Sequence, residues 1–372
     1  MLVLLGLALA QAAANSPTPT PAAASTALCA NAAWREAFAT QGLECVAARH
    51  GVAIAPLQRA QELAVIIDAA AARYADNFGP PAKPMAVILS GSISGPQNEF
   101  LRQQGFLGFP WPDQTGTPPQ GAPGMAAVVN RPAQDAAVVA HELGHIWFRE
   151  WYDAGRPRSP GERHYGSTAP DWLDETAAIL NENEYMTAQR RSGLADLLDG
   201  EGPQLRPVPE FLAMAHPTSG RRLVRLEDLP PGTVRRSDGA VRFDPNNLPP
   251  GFTRRPDGSI AIPGGAPGPA PGAGGTMTFT VPGQADPESR RTGLPFYTQA
   301  RAFSDFLMET SGQPRIMGEI ATAMRGGTSF EQWLAANGER HRLPASVAAL
   351  TAAWEAWLRT KAAGPAARRP QG

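Results

Sequence analysis

The chain has 372 residues and a near balance of charge, 33 Lys+Arg against 34 Asp+Glu, for a formal net charge of −1. That balance lacks the basic excess needed to release counterions from a phosphate backbone, so no nucleic-acid partner is expected. Hydrophobic residues at 42% and charged residues at 18% supply a core for one or two domains, while 38 Gly and 38 Pro, unevenly spread, call for loop-rich segments beside the folded body.

Residues 1–14 open with the apolar run Met1-Leu-Val-Leu-Leu-Gly-Leu-Ala-Leu-Ala10 and close on Ala12-Ala13-Ala14. The run is too short to span a bilayer and ends on small residues suited to signal peptidase. It reads as a secretory signal peptide, and the chain as exported, periplasmic or secreted, with no membrane span after cleavage. The missing basic residues at its start leave a buried N-terminal helix as the alternative. Residues 15–26, rich in Pro, Thr and Ala, read as a disordered leader. Cys29 and Cys45 are the only cysteines, and in an exported chain such a pair reads as one disulfide.

Residues 27–84 read as an N-terminal helical segment, with Leu57, Ala60, Leu63, Ala64 and Ile67 at three- and four-residue spacing after Pro56. Residues 85–200 follow as a mixed strand-and-helix core. Met85-Ala-Val-Ile-Leu89, between Pro84 and Ser90-Gly91, predicts a strand; 91–124 reads mostly as loop; Met125-Ala-Ala-Val-Val129 predicts a second strand. Helices are predicted from Ala133 to Tyr152 and, opened by Pro170-Asp171, from Asp171 to about Leu198.

Residues 201–292 form a Pro/Gly-rich insertion. Within it Leu229-Pro-Pro-Gly-Thr-Val-Arg-Arg-Ser-Asp-Gly-Ala-Val-Arg-Phe243 is echoed by Leu248-Pro-Pro-Gly-Phe-Thr-Arg-Arg-Pro-Asp-Gly-Ser-Ile-Ala-Ile262. Each copy sets Asp-Gly between β-prone runs, which predicts two hairpins. Gly264 to Gly275 reads as a flexible loop. Residues 293–361 return to helical periodicity over Pro295–Met308, Arg315–Met324 and Pro344–Lys361, a C-terminal helical lobe. Residues 362–372 read as a tail.

The chemistry concentrates in His141-Glu142-Leu143-Gly144-His145. Residues i and i+4 of a helix share a face, so two imidazoles placed this way point at one ion. The flanks Ala136-Ala-Val-Val-Ala140 and Ile146-Trp-Phe148 make the helix apolar nearly all round. Three polar groups inside such a core need a reason, and Zn²⁺, which takes neutral His nitrogens, supplies one. Glu142, beside the first histidine, is then placed as a general base toward water at the metal. A catalytic zinc keeps three protein ligands and one open position, so a third ligand is required. The candidates are Glu175, Asp174 and Asp171 in Pro170-Asp-Trp-Leu-Asp-Glu-Thr-Ala-Ala178, together with Glu182 and His164.

His-Glu-x-x-His followed by Trp-Leu-x-Glu-x-x-Ala resembles the gluzincin (peptidase MA-like) zinc metallopeptidases. In that family the Glu of the second run is the third ligand, so the resemblance implies one Zn²⁺ held by His141, His145 and Glu175. Leu294-Pro-Phe-Tyr297-Thr-Gln-Ala300 and its continuation to Leu307 resemble the gluzincin helix that carries a Tyr on its first turn. This implies Tyr297 as a donor to the developing oxyanion. Ser311-Gly312, Gly326–Phe330 and Trp354–Leu358 resemble the helical region that closes these domains. A metzincin is disfavoured, because Ile146 to Glu150 offers neither the Gly nor the His that such a site needs.

Two departures from the family stand out. Ile179 occupies the place, four residues after Glu175, where thermolysin-like enzymes carry an Asp that orients a ligand His. Another group has to do this, a backbone carbonyl being the candidate. Gly124-Met125-Ala126-Ala127 has no Glu to hold a substrate amine, so an aminopeptidase is unsupported. The resulting expectation is an exported zinc metallopeptidase, an endopeptidase acting on a peptide or protein substrate, with Glu142 and Tyr297 catalytic. The expected fold is α+β and gluzincin-like: a small mixed sheet, the zinc-binding helix beneath it, a mostly helical C-terminal lobe, and a cleft between. Oligomeric state is not set by the sequence. Two other readings share the motif, a zinc hydrolase of a non-peptide amide such as a cell-wall fragment and a non-catalytic zinc-containing envelope protein.

Overall fold

The structure, a computed structural model, describes residues 20–38, 42–90, 92–111, 132–155, 166–198, 205–217 and 287–362, and four two-residue strands between 234 and 261. The side chains of 287–294 and of those four strands lie outside the description, as do the expected signal segment 1–14, predicted strand 125–129 and predicted loop 264–275, and the residues from 363 onward.

The first element corrects the leader: α1, Pro21–Ala30, begins inside it. Thr20 accepts a hydrogen bond from the Ala23 backbone N–H, and Pro21 fills the first helical position, where its fixed φ suits a helix. After α2 (Ala33–Phe38) the chain makes a hairpin, β1 (Glu44–Ala48) with β2 (Gly51–Ala55), where a continuous helix was expected. The alanines of these strands are helix formers, which hid the hairpin. Tertiary packing overrides the preference, because every residue of β2 is buried. Asp68 holds the turn by accepting from the backbone N–H groups of Arg49 (3.1 Å) and His50 (2.9 Å).

α3 (Leu57–Phe78) then crosses to β3 (Met85–Leu89), which pairs parallel with β2. A second crossover, α4 (Gly95–Gln103), leads to β4 (Leu107–Trp111), parallel with β3. Both α4 and β4 lie in the stretch read as loop. Ser94 and Gln97 close a capping box on α4, a signal that the surrounding Gly and Pro obscured.

The sheet is mixed, in the order β1-β2-β3-β4, and covered on both faces. Val52, Ile54, Ala86 and Ile88 face Leu28, Trp34, Phe38 and Leu101 of α1, α2 and α4. Ala53, Ala55, Met85 and Val87 face the main core. The alternation of faces along each strand is the period-two rule of a pleated sheet. A disulfide between Cys29 and Cys45 fastens α1 to β1.

The main core is helical. α5 (Pro132–Tyr152) lies over α3 and buries Val139, Ala140, Leu143, Trp147 and Phe148. The predicted long helix after it is two, α6 (Asp171–Ile179) and α7 (Glu184–Leu198). Asn181 makes the break: its side-chain amide donates to the Ala140 carbonyl (2.5 Å), and its own carbonyl accepts from Arg73 Nε (2.8 Å). Asn183 then caps α7 by accepting from the Met186 N–H.

A short helix, α8 (Val208–Ala213), begins the insertion. Its two Asp-Gly repeats form antiparallel pairs, β5 (Val234–Arg235) with β6 (Val241–Arg242), and β7 (Thr253–Arg254) with β8 (Ile260–Ala261). α9 (Pro287–Ser311), α10 (Ile316–Arg325), α11 (Phe330–Asn337) and α12 (Val347–Ala362) complete the helical part. Trp172 of α6 sits among Phe211, Phe303 and Phe330, at ring-centroid distances of 6.4, 6.1 and 5.5 Å. Trp354 of α12 packs on Phe303 and Phe306. The fold is thus α+β, mostly helical around a small mixed sheet. No helix among the described residues is long and apolar enough to cross a membrane.

Candidate metal centre

α5 presents His141 and His145 one turn apart, their rings at 4.8 Å and nearly perpendicular. Their Nε2 atoms stand 3.2 Å from each other. α6 is buried along its length from Trp172 to Ile179, and it brings Glu175 up against the two rings. Glu175 Oε1 lies 3.4 Å from His141 Nε2, and Oε2 lies 3.5 Å from His145 Nε2. Gly144 permits this approach. A Cβ there would stand 2.8 Å from Ala178 Cα and 3.0 Å from the Ala177 carbonyl oxygen, both backbone atoms of α6.

Each histidine is oriented from behind by a carboxylate. His145 Nδ1 meets Asp174 Oδ1 at 2.5 Å, and Asp174 Oδ2 accepts from the Ser167 N–H at 2.6 Å. Gly166, at φ +72°, leaves room for this carboxylate, since a Cβ there would fall 2.4 Å from Oδ1. His141 Nδ1 meets Glu182 Oε1 at 3.0 Å, and Arg190 grips both Glu182 oxygens, at 2.7 and 3.2 Å. A carboxylate at Nδ1 selects the Nδ1–H tautomer and turns the Nε2 lone pair inward. These two carboxylates take the place of the backbone carbonyl expected from the sequence. A carboxylate one residue before the ligand, on the buried helix α6, reaches the ring that a residue at Ile179 does not.

The electrostatics favour a cation. Burial works against charge on His145, but the Asp174 and Glu175 carboxylates outweigh it and hold the imidazole well above its ordinary value. Burial would raise Glu175 as well, yet His141, His145 and His216 hold its carboxyl well below the usual range. Glu182 is likewise held down, by Arg190 and His141 against the cost of burial. Surroundings that draw a proton onto a buried imidazole draw a metal ion too.

Geometry makes the same point. His141, His145 and Glu175 each offer a ligand atom, all within 4.8 Å of one another. Two ligand atoms about 2.0–2.1 Å from one tetrahedral ion stand about 3.3 Å apart. The two Nε2 atoms stand 3.2 Å apart, and Glu175 meets the first through Oε1 at 3.4 Å and the second through Oε2 at 3.5 Å. Both Glu175 oxygens are buried and meet no donor in hydrogen-bond geometry, a costly arrangement that a bound cation resolves. The donor set fits a metal.

Of the other sequence candidates for third ligand, Asp174 and Glu182 stand behind the histidines. Asp171 accepts from the His216 backbone N–H at 2.6 Å, and His164 lies outside the described residues. Glu142 is partly exposed on the same turn of α5. Tyr297, at the start of the buried part of α9, has its ring 5.0 Å from the Arg190 guanidinium and 5.6 Å from the His216 ring. Burial, then the nearby Glu175 carboxylate, push its phenol upward, so it remains a donor.

Two residues of the site, His216 and Arg190, escaped the sequence. His216, fully buried after α8, brings Nε2 to 3.2 Å from Glu175 Oε2. It stands alone in Ala213-Met-Ala-His-Pro217, inside a segment read as insertion, with no spacing that ties it to α6. Arg190 was equally hidden, since a helical Arg is ordinarily solvated.

No protein-family model matches the chain, and neither a curated protein nor a solved structure matches it.

Proposed function

We propose that the chain is a zinc-dependent hydrolase of the gluzincin kind that cleaves peptide bonds. The observation that carries this reading is the triad itself, three ligand atoms within 4.8 Å of one another on a His-Glu-x-x-His helix and its neighbour. His141, His145 and Glu175 hold the metal, which when bound supplies the Lewis acidity that polarises a carbonyl and makes water acidic near neutral pH. Asp174 and Glu182 fix the two imidazoles, so the ligand atoms need no rearrangement. Glu142 takes a proton from the attacking water and returns it to the leaving amine. Tyr297, kept protonated, donates to the oxyanion. The mixed α+β plan, mostly helical with a small four-stranded sheet, supports the reading. The disulfide supports an exported location, periplasmic or secreted.

The test measures metal stoichiometry and turnover of a mixed peptide library for wild type and Glu142→Gln. One zinc per chain is expected in both, with cleavage reduced about 10²–10⁴-fold in the variant. Absence of metal in the wild type, or full activity in the variant, overturns the reading. Hydrolysis of cell-wall fragments but not peptides moves the activity to a non-peptide amide. Bound zinc with no turnover of either identifies a non-catalytic zinc protein.

A further inference from the structure

His216 is buried at the centre, and neither the motif nor the triad accounts for it. Its side chain and that of Glu175 are both fully buried, with Nε2 at 3.2 Å from Oε2. Its backbone is fastened to the same helix that carries Glu175, through the 2.6 Å hydrogen bond to Asp171 in the first turn of α6. Its ring is set by Phe296 at 5.3 Å, edge to face, and by Tyr297. It does not belong to the set of ligand atoms within 4.8 Å of one another, which holds His141, His145 and Glu175 alone among the described residues.

We propose that His216 is a positioning residue for the third ligand. When the ion is bound, the 3.2 Å contact becomes a hydrogen bond from Nε2–H to Glu175 Oε2, which leaves Oε1 to the ion and keeps the carboxylate from swinging between one- and two-oxygen ligation. His216 is not itself a ligand, and the fourth coordination position stays open. The three ligands then have three separate outer partners, Asp174 for His145, Glu182 for His141, and His216 for Glu175. The inference rests on the metal-site reading above.

The physical reason is economy of freedom. A carboxylate has two equivalent oxygens and a soft terminal torsion. Buried without a donor on one oxygen, it samples several ways of meeting the ion. An imidazole N–H at one oxygen removes that freedom.

The experiment compares wild type, His216→Phe and His216→Gln. Zinc affinity is measured by competition with a fluorescent chelator, and the ligand field by the d–d absorption of the Co²⁺-substituted proteins. Alongside, long-range ¹⁵N–¹H spectra of histidine-labelled, zinc-loaded wild type report which ring nitrogen of His216 carries the proton. The Phe variant is expected to bind zinc about 10–100-fold more weakly, with shifted cobalt bands. The Gln variant, whose amide also donates, is expected to recover most of both. In the wild type the proton is expected on Nε2.

Wild-type zinc affinity and an unchanged cobalt spectrum in His216→Phe overturn the proposal while leaving the metal site intact. An unprotonated, metal-shifted Nε2 overturns it differently, making His216 a fourth ligand and the site closed. A wild type that binds no metal removes the metal-site reading and this inference together. Should His216→Phe not fold, the wild-type spectra decide.

Discussion

Asp174 shows how much of this centre rests on residues outside the proposed ligand set. Its carboxylate is wholly buried, with one oxygen on His145 and the other on the Ser167 N–H. Asp174→Asn keeps the shape but loses the charge that fixes the His145 tautomer. The expected outcome is a folded protein that binds zinc about 10–100-fold more weakly, read by chelator competition. An unchanged affinity would show that packing alone orients the ring. The residue types of the motif were readable from their spacing, since residues one turn apart on a helix share a face whatever surrounds them. The carboxylates behind the rings were not, because Asp174 and Glu182 look in sequence like ordinary helix acids.

The helices α5 and α6 meet at Gly144, and their separation sets whether Glu175 reaches the histidines. Gly144→Ala places a methyl group against the α6 backbone, where no flexible side chain can yield. A loss of about 1–3 kcal/mol of stability is expected by chemical denaturation, together with weakened metal binding. Loss of stability without loss of metal affinity would separate the packing from the site.

A second helix contact joins α7 to α9. Asp305 accepts from Arg191 at 2.9 and 3.2 Å and from Arg301 at 3.1 and 2.9 Å. Burial tends to raise the Asp305 carboxyl, and the two guanidiniums outweigh it, so its folded value lies below the usual range. A depressed carboxylate contributes stability that is full above its unfolded value, about 3.9, and lost as pH falls through the folded value. Asp305→Asn is therefore expected to cost about 2–3 kcal/mol at pH 7. Thermal melts should show the gap to wild type closing on acidification below about pH 4. A gap independent of pH would point to shape, not charge.

At the scale of the whole molecule, the candidate metal centre lies at the junction of α5, α6, α9 and the segment after α8, within a core that runs from the sheet to the C-terminal helices. A ligand that binds only the folded state stabilises it by mass action. Free zinc at about a hundred times its dissociation constant is expected to add about 2.7 kcal/mol. A chelator should lower the melting temperature reversibly, and zinc should restore it. A melting temperature indifferent to both would mean that the centre holds no metal.

What the sequence determined by itself was local. The His-Glu-x-x-His turn, the helix around it, the strand Met85–Leu89 and the Asp-Gly repeats follow from spacing and turn chemistry, which act over a few residues. The hairpin of β1 and β2 and the strand β4 were settled by tertiary structure, because five-residue strands rich in Ala, or carrying Gly and Pro as β4 does, form only when neighbours pair with and bury them. The outer partners of the centre were settled there too. Asp174, Glu182, Arg190 and His216 come from separate stretches, and only close packing against α5 and α6, which makes a buried charge or ring find a partner, brings them to one place.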